Sequence, residues 1–312
     1  MSAPTWAWFA VSGLIAALLA IDLAMNREGH EPGLRRSLAA SALWISVSVA
    51  FGVVLGLAQG SVVATQYFAG YLVEKALSID NIFVFALLFR SLAVPRGLQH
   101  RVLYYGVIGA LVLRAGFIAA GASLLERFSW VLYFFGALLV VTGTRMLRGQ
   151  SNVDPARNIA VRALRKVVPV TPNYVGGSFF VRIDGRLFAT MLLVALVTVE
   201  TTDVLFATDS IPAVFGITTD VFVVFTSNAF AVLGLRALYF VFADAMDRFS
   251  YLHYGLAAVL VFIGVKMLLA SVVDIPVLVS LGVIVVLIGT ATLASVWHAR
   301  DSQGPPGSAP AA

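Results

Sequence analysis

Apolar residues in this chain neither alternate nor return once per helical turn; they run on in long blocks. Nine blocks approach the roughly 20 helical residues needed to cross a hydrocarbon core of about 30 Å. They fall at Trp6–Ala24, Leu38–Leu57, Tyr67–Phe89, Val102–Leu125, Trp130–Leu147, Leu187–Gly216, Val221–Phe242, Leu252–Ala270 and Pro276–Trp297. The pattern predicts an all-α polytopic membrane bundle of about nine transmembrane helices, because helices satisfy their own backbone polar groups in lipid. Only the connection from Arg148 to Arg186 is long. Within it, Ala156–Val168 reads either as a basic amphipathic helix on the inner leaflet or as a solvated linker. Further on, SFFVRIDGRLFA places Asp184-Gly185 between two apolar runs, a pairing that favours a tight hairpin turn. The Gly, Pro and Ser-rich end, DSQGPPGSAPAA, is expected to be disordered.

Composition agrees with this picture. Of 312 residues, 60% are hydrophobic and 12% charged, and the mean hydropathy is +0.94. A soluble domain carries about twice that charge. The pI near 9.7 does not mark a nucleic-acid partner, because the basic residues sit between the apolar blocks and form no continuous face. They instead orient the bundle in a lipid bilayer. Arg145, Arg148, Arg157, Arg162, Arg165, Lys166, Arg182 and Arg186 crowd the connection after the fifth block, whereas the opposite side carries only Arg127. The excess of positive charge on cytoplasmic loops then puts the N-terminus outside and the C-terminus in the cytoplasm. The start, MSAPTWAWFA, lacks the basic region of a signal peptide, so the first block is read as a retained helix. There is no cysteine, which removes disulfides, thiolate ligands and cysteine nucleophiles.

The two halves share polar landmarks. Arg127-Phe128-Ser129-Trp130 returns as Arg248-Phe249-Ser250-Tyr251, and Gly143-Thr144-Arg145-Met146-Leu147 as Gly264-Val265-Lys266-Met267-Leu268. Arg114 corresponds to Arg236, and Asp80 to Asp203, all at offsets of 121 to 123 residues. Three spans per copy is an odd number, so the copies insert in opposite directions. Inverted repeats of this kind underlie many secondary transporters, with the site where paired broken helices meet. The chain is thereby divided into two N-terminal helices (1–65), a first three-helix repeat (66–147), a cytoplasmic loop (148–186), a second repeat (187–270), a last helix (271–300) and a tail (301–312).

Chemistry enters through acids at membrane depth. Each charge at a helix centre costs about 2.5 to 3.5 kcal/mol, so such residues need a partner, a proton or a cation. VTVETTDVLFATDSIPAVFG carries Glu200, Asp203, Asp209, Ser210 and Pro212, and its counterpart EKALSIDNIFVF carries Glu74, Lys75, Ser78, Asp80 and Asn81. Glu74, Ser78 and Asn81 lie along one helical face, as do Glu200, Asp203 and Ser210. Pro212 removes a hydrogen bond to the Thr208 carbonyl, and a helix break is expected there, beside Asp209. The donors are oxygens, a set that suits Mn²⁺, Mg²⁺ or Ca²⁺; Zn²⁺ and copper lead one to expect Cys or His. The four histidines fall in loops or near span ends. Ion pairing with Lys75, Arg114 and Arg236 is the competing account of the acids, but five carboxylates exceed three bases. The two arginines are expected to compensate charge or gate, and Ser227 and Asn228 either line the same cavity or join helices.

Around these residues the sequence closely resembles the TerC family of bacterial integral membrane proteins, in particular its Alx-like branch. The resemblance is carried by EKALSIDNIFVF, QHRVLYYGVIGALVLR, FFVRIDGRLFAT, VETTDVLFATDSIPAVFGIT, TSNAFAVLGLRALYF and IGVKMLL, from about Tyr71 to Leu269. It implies a LysE-type transporter of the bacterial cytoplasmic membrane, with links to tellurite resistance and manganese export. It also implies metal binding by Glu74, Asp80, Asn81, Glu200, Asp203, Asp209 and Ser210. The expected function is thus secondary export of a divalent cation, Mn²⁺ first, coupled to protons. The alternative is a non-transporting scaffold or metal sensor acting through the 148–186 loop. An enzyme is not expected, because no nucleophile and base are paired.

Overall fold

The computed structural model describes residues 4–25, 34–128, 130–148, 159–242, 251–273 and 275–301. Each of the nine apolar blocks is helical over most of its length. The helices are α1 (Thr5–Met25), α2 (Leu34–Gln59), α3 (Ser61–Ser91), α4 (Arg96–Arg127), α5 (Trp130–Leu147), α6 (Ile159–Val167), α7 (Met191–Phe215), α8 (Val221–Val232), α9 (Leu235–Phe242), α10 (Leu252–Leu268) and α11 (Val277–Asp301), with a two-stranded hairpin, β1 (Phe180–Ile183) and β2 (Arg186–Ala189). Six of them, α1, α2, α4, α5, α7 and α11, are long and apolar enough to cross a membrane, and the bent pair α8–α9 makes a seventh if taken as one span. The 31-residue α3 carries Glu74, Lys75, Asp80 and Arg90, and α10 has 17 residues. Large apolar side chains face outward on the peripheral helices, with Trp6 on α1, Leu57 on α2 and Trp297 on α11 at 70%, 85% and 75% exposure. In water that surface would be costly; in lipid it is the expected one.

Two expected boundaries move. The block that begins at Leu187 does not continue as one helix, because Leu187 to Ala189 belong to β2 and pair with β1; α7 starts at Met191 after the extended Thr190. Helix α7 also runs unbroken through Pro212 to Phe215. Proline's fixed φ fits a helix, so the cost is a lost hydrogen bond and local crowding one turn before the natural end. The break lies in the following span instead. There α8 and α9 meet at 42°, around Gly234 with φ +80°. A Cβ at Gly234 would also stand 2.6 Å from Cβ of Trp44, so both backbone and space require glycine.

The hairpin forms as expected. Ile183 pairs with Arg186, and Asp184 (φ 49°) and Gly185 (φ 78°) make the two-residue turn with both residues left-handed. Of the predicted amphipathic helix, Ile159–Val167 is α6; residues 156–158 lie outside the described residues, as do Arg248, Phe249, Ser250 and the tail after Asp301.

The packing of the halves is crosswise: α3 lies mainly on α8 and α4 mainly on α7, while α5 packs most extensively on α10. At the α5–α10 crossing a Cβ at Gly136 would meet the Gly264 carbonyl at 2.9 Å, and one at Gly143 would meet the Ala257 carbonyl at 2.8 Å. These contacts exchange under the 121-residue offset, since 136 maps to 257 and 143 to 264. Small residues allow this close backbone approach. Replacing Gly264 by Leu should separate the helices and lower stability by about 1–3 kcal/mol, read as a lower unfolding midpoint in detergent. The same change at Gly13 on α1, where a Cβ meets nothing within 4 Å, should leave it unchanged.

Candidate functional site

At the crossing of α3, α4, α7 and α8 lies a knot of buried charge. Arg114, on α4, donates from Nε to Asp203 Oδ2 (3.0 Å) and from Nη2 to Asp203 Oδ1 (2.9 Å), a two-pronged grip on one carboxylate from α7. Its Nη1 donates to Glu74 Oε1 on α3 and to Asn228 Oδ1 (3.2 Å) on α8. Arg114, Glu74, Asp203 and Asn228 are 2%, 0%, 3% and 1% exposed, so water does not screen these charges. A planar guanidinium can serve three acceptors from three helices at once; a lysine could not match that geometry.

The pairing leaves charge and polar atoms over. Two carboxylates face one guanidinium among the described residues, an excess of one acid over base in the knot. Among the described residues, Glu74 Oε2, Asn228 Nδ2 and, one turn along α3, Ser78 Oγ have no hydrogen-bond partner. Such buried groups call for a ligand, because leaving one unpaired costs about 1–3 kcal/mol. Beside Asp203, a cavity of about 10 Å³, the volume of one water site, opens between Phe85, Leu103, Val107, Val199 and Leu235. A far larger cavity of about 410 Å³, lined by Gln66, Thr218, Thr219 and Lys266 among others, lies near Phe215, about 18 Å further along α7. Between them Ser210 to Val214 are all buried.

The remaining predicted residues separate. Asp209 accepts from Thr142 Oγ1 on α5 (2.9 Å), away from Arg114. Glu200 is half-buried against α4, where a Cβ at Gly109 would overlap its carboxyl group, and its Oε2 has no hydrogen-bond partner among the described residues. Ser210 is buried with an unpartnered Oγ, Asn81 is buried on α3, and the Asp80 side chain lies outside the described residues. Among the described residues no three His, Asp or Glu side chains already converge as a metal cluster. For Glu74 and Asp203 the competing account, pairing with Arg114, is therefore realised in this conformation. Lys75 takes a different place: its Nζ donates to the Ala231 and Leu233 carbonyls (3.0 and 3.4 Å) and satisfies the backbone freed at the α8–α9 break. Arg236 turns away from the knot and pairs with Asp22 of α1 (Nη2 to Oδ1, 2.7 Å). Thr142, Gly109 and Asp22 had not been singled out in the sequence; for Asp22 the signal was present, an acid near the end of an apolar block.

The match to known sequences follows this geometry. Residues 59–303 match the family model described as the integral membrane protein TerC family. The chain belongs to the TerC family. An uncharacterized membrane protein of Myxococcus xanthus is 45% identical over 297 residues, covering 95% of this chain and 93% of its own. Alx of Escherichia coli K12, whose name proposes a membrane-bound redox modulator, is 43% identical over 311 residues and 96% of each chain. An uncharacterized membrane protein of Rickettsia bellii is 38% identical over 291 residues, 93% of this chain and 96% of its own. No solved structure matches the chain.

In this TerC protein the knot makes a stability prediction. Replacing Arg114 by Met leaves two buried carboxylates without their counter-charge and should cost about 3–5 kcal/mol. Adding Glu74→Gln and Asp203→Asn to that variant should recover most of the loss, since a neutral knot has no charge left to compensate. Unfolding midpoints of the purified variants in detergent decide it.

Proposed function

We propose that this protein is a secondary transporter that exports a divalent metal cation, Mn²⁺ first, in exchange for protons. The observation that carries this reading is the excess of carboxylate over guanidinium in the fully buried knot of Glu74, Asp203 and Arg114. Purely structural pairing would be expected to balance its charges; here the surplus needs a proton or a cation at membrane depth. The oxygen donors, with unpartnered Glu74 Oε2 and Ser78 Oγ at hand, favour a hard ion.

Arg114 then acts as the internal stand-in for the cargo. It holds Asp203 and Glu74 when no metal is bound, and it must be displaced for both carboxylates to reach the ion. With Glu200 one turn from Asp203, three ionised carboxylates against one guanidinium leave two negative charges, the complement of one divalent cation. One metal ion or two protons neutralises that set, so the exchange is electroneutral. The crosswise, oppositely oriented helices α3 to α5 and α7 to α10 serve as the two rocking repeats, and alternating access opens the knot toward one side or the other. The loop charge favours a cytoplasmic Arg148–Arg186 connection, and an inward proton gradient would then drive the cation outward. The redox role proposed in the name of the Escherichia coli relative is compatible with this reading as a consequence of altered metal balance, since a chain without cysteine has no thiol exchange of its own.

Sealed proteoliposomes test the transport. A pH gradient should drive Mn²⁺ uptake against its own gradient, and a potassium potential set by valinomycin should change the rate little. Asp203→Asn and Glu200→Gln, each checked for an intact unfolding transition, should lower the rate by at least tenfold. Undiminished flux through both variants would overturn the site, and Mn²⁺ binding without flux in the unmodified protein would favour the sensor reading.

A further inference from the structure

The described part of the connection between α5 and α7, from Ile159 onward, is tied to the bundle. Tyr174 donates from its hydroxyl to the Leu92 carbonyl at the end of α3 (2.8 Å). Thr171 N donates to Ala189 O and Ala189 N to Pro169 O, both at 2.9 Å, while Thr190 N donates to Phe179 O at 2.9 Å. The Arg101 guanidinium of α4 lies over the Phe179 ring, 5.9 Å from its centre. These ties set α6 and the β1–β2 hairpin at one end of the bundle, level with the ends of α3, α4 and α7.

What this ledge presents outward is a mixture of apolar and cationic groups. Val161 and Leu164 of α6 turn inward, whereas Val167 is 81% exposed beside exposed Arg165 and Lys166. On the hairpin Phe180, Leu187 and Ile183 are 49%, 48% and 42% exposed, interleaved with exposed Arg182 and Arg186. Between Ile159 and Ala189 the only acid is Asp184. A ledge in water would not keep four large apolar side chains outward. A ledge at the bilayer boundary would, with the apolar groups at acyl depth and the long cations reaching up to phosphate.

We infer that α6 and the β1–β2 hairpin form a binding surface for anionic phospholipid headgroups, with Val167, Phe180 and Leu187, the last two on one face of the hairpin, inserted at the acyl boundary. Arg165, Lys166, Arg182 and Arg186 supply the selectivity for anionic over zwitterionic lipid. A rigid mount makes the binding mechanical as well. Lipid held on the hairpin bears directly on β2 and, through Thr190, on the start of α7, the helix that carries Asp203. The inference does not depend on which ion the bundle moves.

The absence of cysteine allows a clean test on the full-length protein. Leu187→Cys carries a nitroxide label in nanodiscs of phosphatidylcholine with or without phosphatidylglycerol. With phosphatidylglycerol the label should collide more with oxygen and less with a neutral, water-soluble nickel complex, the ratio changing on the order of several-fold. High salt should weaken the effect. Arg165→Gln, Lys166→Gln, Arg182→Gln and Arg186→Gln together should bring the label back to its behaviour in phosphatidylcholine; all four positions are exposed, and an unchanged unfolding midpoint serves as the folding control. A label water-exposed in both lipids overturns the inference and points to a soluble protein partner. A label equally inserted in both overturns the role of headgroup charge.

Discussion

One guanidinium holds the centre of this bundle together. Arg114 reaches from α4 to Asp203 on α7, Glu74 on α3 and Asn228 on α8, and each of those side chains is buried among apolar neighbours. None of the three charges would be tolerated there alone. Their mutual pairing makes the burial possible, and so the positions of four helices are specified by a polar contact that hydrocarbon packing could not single out. The pairing is also incomplete, with a carboxylate in surplus and Glu74 Oε2 unpartnered. Structural necessity and capacity for a ligand therefore lie in the same few atoms.

Around that centre the backbone deviates from regular helix where a partner exists for what the deviation exposes. The α8–α9 break frees carbonyls at depth, and Lys75 from α3 donates to two of them. Pro212, in the last turn of α7, does not interrupt the helix at all. The difference is physical. Proline removes one hydrogen bond but keeps a helical φ, whereas Gly234 adopts a left-handed φ that no helix continues through. A cation placed at the C-terminal end of α8 also meets the negative end of that half-helix dipole. The fold thus contains a bend held by Lys75, the residue next to Glu74 of the knot.

Membership of the TerC family sets these features among relatives matched almost end to end, yet no solved structure matches to show a related helix arrangement. The geometry gives the acids of α3 and α7 distinct local roles in this chain. Asp203 and Glu74 belong to the arginine knot, Asp209 is held by Thr142, and Glu200 sits over Gly109. If a single ion engages several of these acids, the helices must shift to bring them together. A transporter makes such a demand and a static pairing does not.

Much of this protein could be read from its sequence, because bilayer thickness and backbone hydrogen bonding leave few options. Nine apolar blocks became ten helices, the seventh block splitting into α8 and α9, and Asp184-Gly185 became a two-residue turn. Sequence spacing could place Glu74 with Ser78 and Glu200 with Asp203, since helical periodicity is local. It could not tell which base answers which acid. Arg114 and Arg236 occupy corresponding positions, yet one is locked into the knot and the other pairs with Asp22, because only tertiary packing brings α1 beside α9 and α4 beside α7. Nor could it separate Pro212, a plausible breaker that the helix absorbs, from Gly234, whose required conformation emerges only where Trp44 packs against it. Composition and periodicity determined which segments enter the membrane and which carry charge; the pairing of those charges depended on contacts between residues distant in the chain.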